Sequence, residues 1–198
     1  MNDGLYHPAL EVPVTPQDHS QGPESAPVTL VLYGDYQCPF TANLHLTITK
    51  LQKRSGEHFR YVFRHFPMFT KHARAQLAAE TAEAAAAQGK FWEMHAYLFQ
   101  RQYDFDHDCL APACALLGLD YVRLDREIAQ HVHLEHIQAD VAGAKRSGVA
   151  GTPALFINGF MYEDNDDFET LSRNIETILP MKNDSPARRS FSLGGLFK

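Results

Sequence analysis

Cysteine is scarce in this chain: three in 198 residues, Cys38, Cys109 and Cys114. So small and odd a set excludes a disulfide framework and leaves at least one thiol free or joined to another molecule. A basic excess is missing too. Asp and Glu outnumber Lys and Arg by 24 to 18, for a formal net charge of −6, so neither nucleic acid nor an anionic membrane is an expected partner. No apolar run approaches the roughly 20 residues of a membrane span. The opening Met1-Asn2-Asp3-Gly4-Leu5-Tyr6-His7-Pro8 has neither a basic segment nor an apolar core; it shows no secretory signal, and a cytoplasmic location is the expectation. Nothing in the composition indicates an oligomeric state.

What is present is an ordinary globular balance, 44% apolar and 21% charged, with chemistry concentrated at Cys38-Pro39-Phe40-Thr41. This stretch follows the apolar run Val28-Thr29-Leu30-Val31-Leu32-Tyr33 and a turn at Gly34-Asp35, and it opens an amphipathic helical pattern. Unpaired N–H groups and partial positive charge at a helix N-terminus favour thiolate over thiol, so a strand-to-helix junction is where thiol chemistry is easiest to build. A dithiol site needs a second cysteine three positions on. Thr41 stands there instead.

The spacing along the chain predicts an α/β protein. Residues 1–26, with Pro8, Pro13, Pro16 and Pro23, read as an extended, poorly packed arm, and order is expected to begin near Val28. Leu44, Ile48 and Leu51 mark the helix after Cys38, which ends near Ser55-Gly56. Phe59 to Phe66 is aromatic and β-branched and stops at Pro67, so it reads as a second strand, parallel to the first through a right-handed βαβ crossover. No strand pattern follows for about 80 residues. Helices are expected over 72–88, around Phe91 to Phe99, from an Asp108 cap with Pro112 in the first turn, from an Asp120 cap, and through Leu134, Ile137 and Val141 to Ser147-Gly148. Strand character returns at Ala154-Leu155-Phe156-Ile157, turns at Asn158-Gly159 and continues through Phe160-Met161-Tyr162. Asp166 or Asp167 caps a last helix bearing Phe168, Leu171, Ile175 and Ile178, and the tail 180–198 reads as disordered.

The order βαβ, helical block, hairpin and helix, with Asp35-Tyr36-Gln37-Cys38-Pro39-Phe40-Thr41 and Gly148-Val149-Ala150-Gly151-Thr152-Pro153, resembles the DsbA-like branch of the thioredoxin superfamily. Arg64-His65-Phe66-Pro67 and Gln88-Gly89-Lys90-Phe91-Trp92-Glu93-Met94-His95 are also similar to that branch, particularly to bacterial members of the kind appended to sodium/proton antiporters. The resemblance implies a thioredoxin fold (βαβ + ββα) over 27–67 and 149–179, with an inserted α-helical domain at 68–148. It makes Cys38 the attacking thiol and Thr152-Pro153 the cis-proline loop that pairs with an extended substrate, with Pro39 and Phe40 as further substrate contacts. Thr41 departs from the pattern. An alcohol cannot attack a mixed disulfide, but its hydroxyl can donate to the Cys38 thiolate.

These residues lead to a thiol-disulfide oxidoreductase with a single working thiol. Cys38 attacks a protein or glutathione disulfide, and glutathione or another low-molecular-weight thiol resolves the adduct, which favours reduction, isomerisation or deglutathionylation. The alternative is a redox-inactive module that binds a peptide or partner in the groove beside Cys38. A kappa-class glutathione transferase shares this topology but uses serine at the position of Cys38. No bound cofactor is expected, and no metal. Cys109 and Cys114 lie about 140° apart on a helix and cannot pair; Cys114 reads as core, and Cys109 as a resolving thiol only if the insert folds it over Cys38. His131, His133, Glu135 and His136 read as surface residues, and Glu163-Asp164-Asn165-Asp166-Asp167 as a solvated turn and helix cap.

Overall fold

The computed structural model describes residues 8–55, 58–164 and 166–179. In chain order come β1 (His19–Gln21), β2 (Val28–Gly34), α1 (Pro39–Ser55) and β3 (Phe59–His65). Next are the helices α2 (Ala75–Ala86), α3 (Phe91–Gln100), a 3-10 turn (His107–Cys109), α4 (Leu110–Leu117), α5 (Tyr121–Ala129) and α6 (Leu134–Arg146). The chain then returns to the sheet with β4 (Ala154–Ile157) and β5 (Phe160–Met161) and closes on α7 (Phe168–Ile178). The five strands form one sheet in the order β1-β3-β2-β4-β5, in which only β2 and β3 run parallel. This is a thioredoxin-like fold with a helical insertion between β3 and β4.

Alternation along the central strands builds two cores, because successive side chains leave opposite faces of a strand. Leu30 and Leu32 of β2, with Phe59, Tyr61 and Phe63 of β3, pack against α1, α7 and the inserted helices. Val31, Tyr33, Val62 and Phe156 form the other face, covered by Ala144 and Val141 of α6 and by Leu10 and Val14 of the N-terminal arm. Burying both faces explains why β2 reads as a nearly continuous apolar run.

The arm is therefore a correction to the sequence reading. Its described part packs on the fold up to Gln21, whereas residues 22–25 form an exposed turn. β1 pairs antiparallel with β3, placing His19 opposite Phe63. Leu10 N–H donates to Gly159 O at 2.8 Å and Met161 N–H to Pro8 O at 3.0 Å. The buried Arg64 guanidinium uses its whole fork: Nε and Nη2 reach Asp18 at 2.6 and 3.1 Å, Nη1 reaches Val12 O and Tyr33 Oη at 2.9 Å, and Nη2 also reaches Pro13 O at 2.9 Å. Prolines set an extended backbone here; they do not prevent burial. The second apolar sheet face needs cover, and α6 supplies only part of it.

Smaller corrections concern helix ends. Asp106, not Asp108, caps the turn before α4, accepting Asp108 N–H at 3.0 Å. The helix expected over 72–88 occupies only Ala75–Ala86. Asp120 and Asp167 cap α5 and α7 through their carboxylates. Asn158 and Gly159 both take positive φ, 49° and 85°, which matches the mirror-image turn that twists with a hairpin. Residues 1–7 and the tail 180–198 lie outside the described residues. Among the described residues no helix is long and apolar enough to cross a membrane.

Candidate active site

β2 ends at Gly34, and the next four residues turn the chain into α1. Cys38 occupies the N-cap position: its carbonyl accepts Ala42 N–H at 3.1 Å, and Pro39, which has no N–H to lose, begins the helix. Two buried side chains hold the turn. The Asp35 carboxylate accepts Gln37 N–H at 2.8 Å, Met68 N–H at 2.8 Å and His72 Nδ1–H at 2.7 Å. Gln102, from the insert, donates its amide to Tyr36 O at 2.9 Å and Cys38 O at 2.8 Å. The loop bearing the thiol is thus tied to β3's exit on one side and to the helical domain on the other.

Cys38 is 4% exposed, whereas neighbouring Phe40 is 67% exposed. Its thiol donates to Thr152 O at 3.3 Å. The Thr152-Pro153 peptide is cis, and the Thr152 hydroxyl points to Met68 Sδ at 3.4 Å. Met68 therefore bridges the two loops, since Asp35 holds its N–H. Pro39 and Phe40 stand exposed beside this juxtaposition, and Thr152 and Pro153 are half-buried across it.

Thr41 is fully buried. Its hydroxyl accepts Asp35 N–H at 3.5 Å. A Cβ built on Gly34 would come within 2.8 Å of Thr41 Cγ2 and 2.5 Å of Phe63 Cε2, so glycine is required by close approach alone. Cys109 and Cys114 are both free thiols. Cys109 donates to Asp104 O at 3.3 Å. Cys114 lies in the core, where burial, then the charge of Asp120, pushes its thiol pKa up.

The sequence reading missed Asp35, Gln102 and Met68 as organisers of the loop. It also missed a polar line leading away from it. Tyr36 Oη bonds His95 Nδ1 at 2.9 Å, and His95 Nε2 bonds His45 Nδ1 at 3.2 Å. Burial pushes His45 down to about 4, and pushes His95 well below the usual imidazole range. Both rings border a cavity of about 830 Å³ between α1 and α3, walled by Trp92, Phe99 and Leu46 with Lys53 at its edge. A histidine among aromatics on an apolar helix face was the available signal. Of the histidines around the start of α6, His131 bonds Glu80 at 2.8 Å, His133 bonds Glu127 at 2.9 Å and His136 bonds Glu83 at 3.2 Å. They go to three separate carboxylates and form no common cluster.

The chain sets a cysteine at a helix N-cap against the carbonyl before a cis-proline, and a thioredoxin profile matches its residues 14–177. The chain belongs to the thioredoxin family. Its fold is that of the DsbA-like members. Solved structures similar to this thioredoxin-family chain include BdbD from Bacillus subtilis, with TM-score 0.70 and 23% identity over 80% of this chain and 91% of that one. Wolbachia pipientis alpha-DsbA1 gives TM-score 0.72 and 19% identity over 85% of this chain and 94% of that one. A thioredoxin-like oxidoreductase from Silicibacter pomeroyi gives TM-score 0.71 and 23% identity, covering 82% and 92%. Among curated relatives, Na(+)/H(+) antiporter NhaA 1 of Salinispora arenicola is 38% identical over 187 residues, 91% of this chain but 28% of that protein. NhaA 3 of Salinispora tropica is 40% identical over 164 residues, 82% of this chain and 25% of the relative. The chain spans about a quarter of the length of these curated relatives.

Proposed function

We propose that the protein is a thiol-disulfide oxidoreductase that works through Cys38 alone and uses an external thiol to complete its cycle. The carrying observation is the 3.3 Å contact between Cys38 Sγ and Thr152 O beside a cis-proline, with a buried Thr41 in place of a second thiol. An extended substrate lies along Thr152-Pro153, with Pro39 and Phe40 as the exposed contacts next to the sulfur. The Cys38 thiolate attacks one sulfur of a substrate disulfide, such as a glutathionylated protein thiol. A Cys38–glutathione disulfide forms and the protein leaves as thiolate. A second glutathione thiolate then attacks that mixed disulfide, releasing glutathione disulfide and regenerating Cys38. The two electrons come from glutathione, so the cycle suits the reducing cytoplasm.

The test is glutathione-coupled reduction of a mixed disulfide by wild type and Cys38→Ser, with mass spectrometry of the Cys38 adduct. The reading expects a rate that rises and saturates with glutathione, an adduct on Cys38 and loss of both in Cys38→Ser. Equal turnover without any low-molecular-weight thiol overturns the mechanism.

The low exposure of Cys38 favours a second reading, a module that binds an extended peptide or partner without redox chemistry. That reading expects no adduct, and peptide binding that survives Cys38→Ser unchanged.

A further inference from the structure

Away from the thiol, three imidazoles from separate parts of the chain turn toward one buried carboxylate. Glu83 lies in α2, with its side chain 5% exposed. His19 Nε2 of β1 and His65 Nε2 of β3 each lie 2.7 Å from its Oε1, and His136 Nδ1 of α6 lies 3.2 Å from Oε2. The donor atoms of His19, Glu83 and His136 all fall within 4.8 Å of one another. The arm, the central sheet and the helical insert therefore meet at this carboxylate.

We propose that His19, Glu83 and His136 bind a divalent transition-metal ion of the zinc class, with His65 as a positioning residue for Glu83. Two imidazoles and a carboxylate form a donor set that suits zinc, with a fourth place left for water. Bonds of about 2.0–2.1 Å to a tetrahedral ion need donors roughly 3.3 Å apart, so the widest spacing the present arrangement allows has to contract by up to ~1.5 Å. His136 has room to make that adjustment, because its side chain is 38% exposed and opens the site to solvent. His19 is already oriented: its ring stacks on Phe91 at 3.5 Å between centroids and 8° from parallel.

The surroundings supply the outer hydrogen bonds that metal ligands require. His65 Nδ1 is buried with no partner, so the ring's proton belongs on Nε2, where Glu83 Oε1 accepts it. This bond leaves Oε2 and the free lone pairs of an ionised Glu83 facing His136. Asp140 adds a second carboxylate nearby, accepting His65 N–H at 2.8 Å. A bound ion displaces the protons that His19 and His136 now donate, and it cross-links arm, sheet and insert. This assignment stands apart from the redox reading, since it uses no thiol.

The experiment uses the untagged full chain carrying Cys38→Ser, so that this thiol contributes nothing. The protein is stripped with a chelator, then titrated with zinc chloride by calorimetry and with cobalt chloride by visible absorption. The expected result is one ion per chain, a raised melting temperature, and cobalt bands lacking the thiolate charge-transfer absorption. His19→Ala and His136→Ala each weaken zinc by more than about 100-fold, and His65→Gln by about 10- to 100-fold. His136→Ala changes a half-exposed side chain, so it remains readable if His19→Ala loosens the arm. Absence of saturable binding at millimolar zinc overturns the proposal. So does a thiolate band, or wild-type affinity in folded His136→Ala.

Discussion

The Cys38 thiol donates to Thr152 O at 3.3 Å, joining residues 114 positions apart in the chain. The contact exists because β4 lies antiparallel to β2, pairing Tyr33 with Ala154. That register brings the start of β4 to the end of β2, where α1 begins. Position 41, three residues into the motif, is buried against Gly34 and Asp35.

Replacing Thr41 by cysteine should therefore convert the mechanism. A second thiol three positions from Cys38 allows an internal disulfide to form and expel the product. Thr41→Cys should release the product of a single turnover without added glutathione, leaving an internal disulfide that an external reductant such as dithiothreitol must open before the next cycle, and alkylation after oxidation should show Cys38 and the new cysteine both blocked. If product release in this variant still requires glutathione, the single-thiol account of the wild type loses its basis.

Gln102 is the second test of the loop. Its amide satisfies two backbone carbonyls on either side of Gln37. Gln102→Leu takes this donor from Tyr36 O and leaves Cys38 O with Ala42 N–H, at a cost of about 1–3 kcal/mol in a buried site. Denaturant unfolding should register that loss, and iodoacetamide should modify Cys38 at a changed rate as the turn loosens. An unchanged rate would mean that Gln102 stabilises the insert without positioning the thiol.

Gly34→Ala places a methyl group 2.5 Å from Phe63 Cε2 and 2.8 Å from Thr41 Cγ2. Overpacking of this kind costs about 1–3 kcal/mol. A lowered melting temperature is expected, partly restored by Thr41→Ser, which removes one of the two clashing groups.

The arm offers a fourth test. Burial opposes ionisation of Asp18, yet the bonds from Arg64 and Thr15 outweigh it and hold its carboxyl below the ordinary value. Asp18→Asn leaves the Arg64 guanidinium buried without its counter-charge, a loss of about 3–5 kcal/mol. Limited proteolysis should then cut within residues 8–26 well before the rest of the chain, as it should not in the wild type.

Acid should destabilise the fold through His45 and His95. Burial holds His45 neutral down to about 4, against about 6.5 in an unfolded chain. Above 6.5 neither state binds the proton and the full stability is present. Between 6.5 and 4 the unfolded chain takes up a proton that the folded chain refuses, so stability falls as pH falls. The loss for His45 is up to ~3 kcal/mol, and His95, depressed by burial and by its histidine neighbours, adds to it. Melting temperature measured from pH 7 to 4 should drop steeply in the wild type. The drop should be shallower in His45→Gln, which has no proton to take up.

Local chemistry was legible in the sequence. The strand and helix around Cys38, the Asn158-Gly159 turn, the Asp120 cap and the Thr152-Pro153 signal depend on neighbours within a few residues, and the chain order of these pieces sufficed to name the family. The packing of the arm was not legible, because polar and proline-rich composition reports backbone preference and not which sheet face needs cover. Only the tertiary structure decided that Arg64 reaches Asp18, that Gln102 and Asp35 hold the thiol loop, and that Glu83 gathers His19, His65 and His136. Each of these rests on side chains from separate elements meeting at one point. Periodicity along a chain carries no record of which helix lies across from which strand.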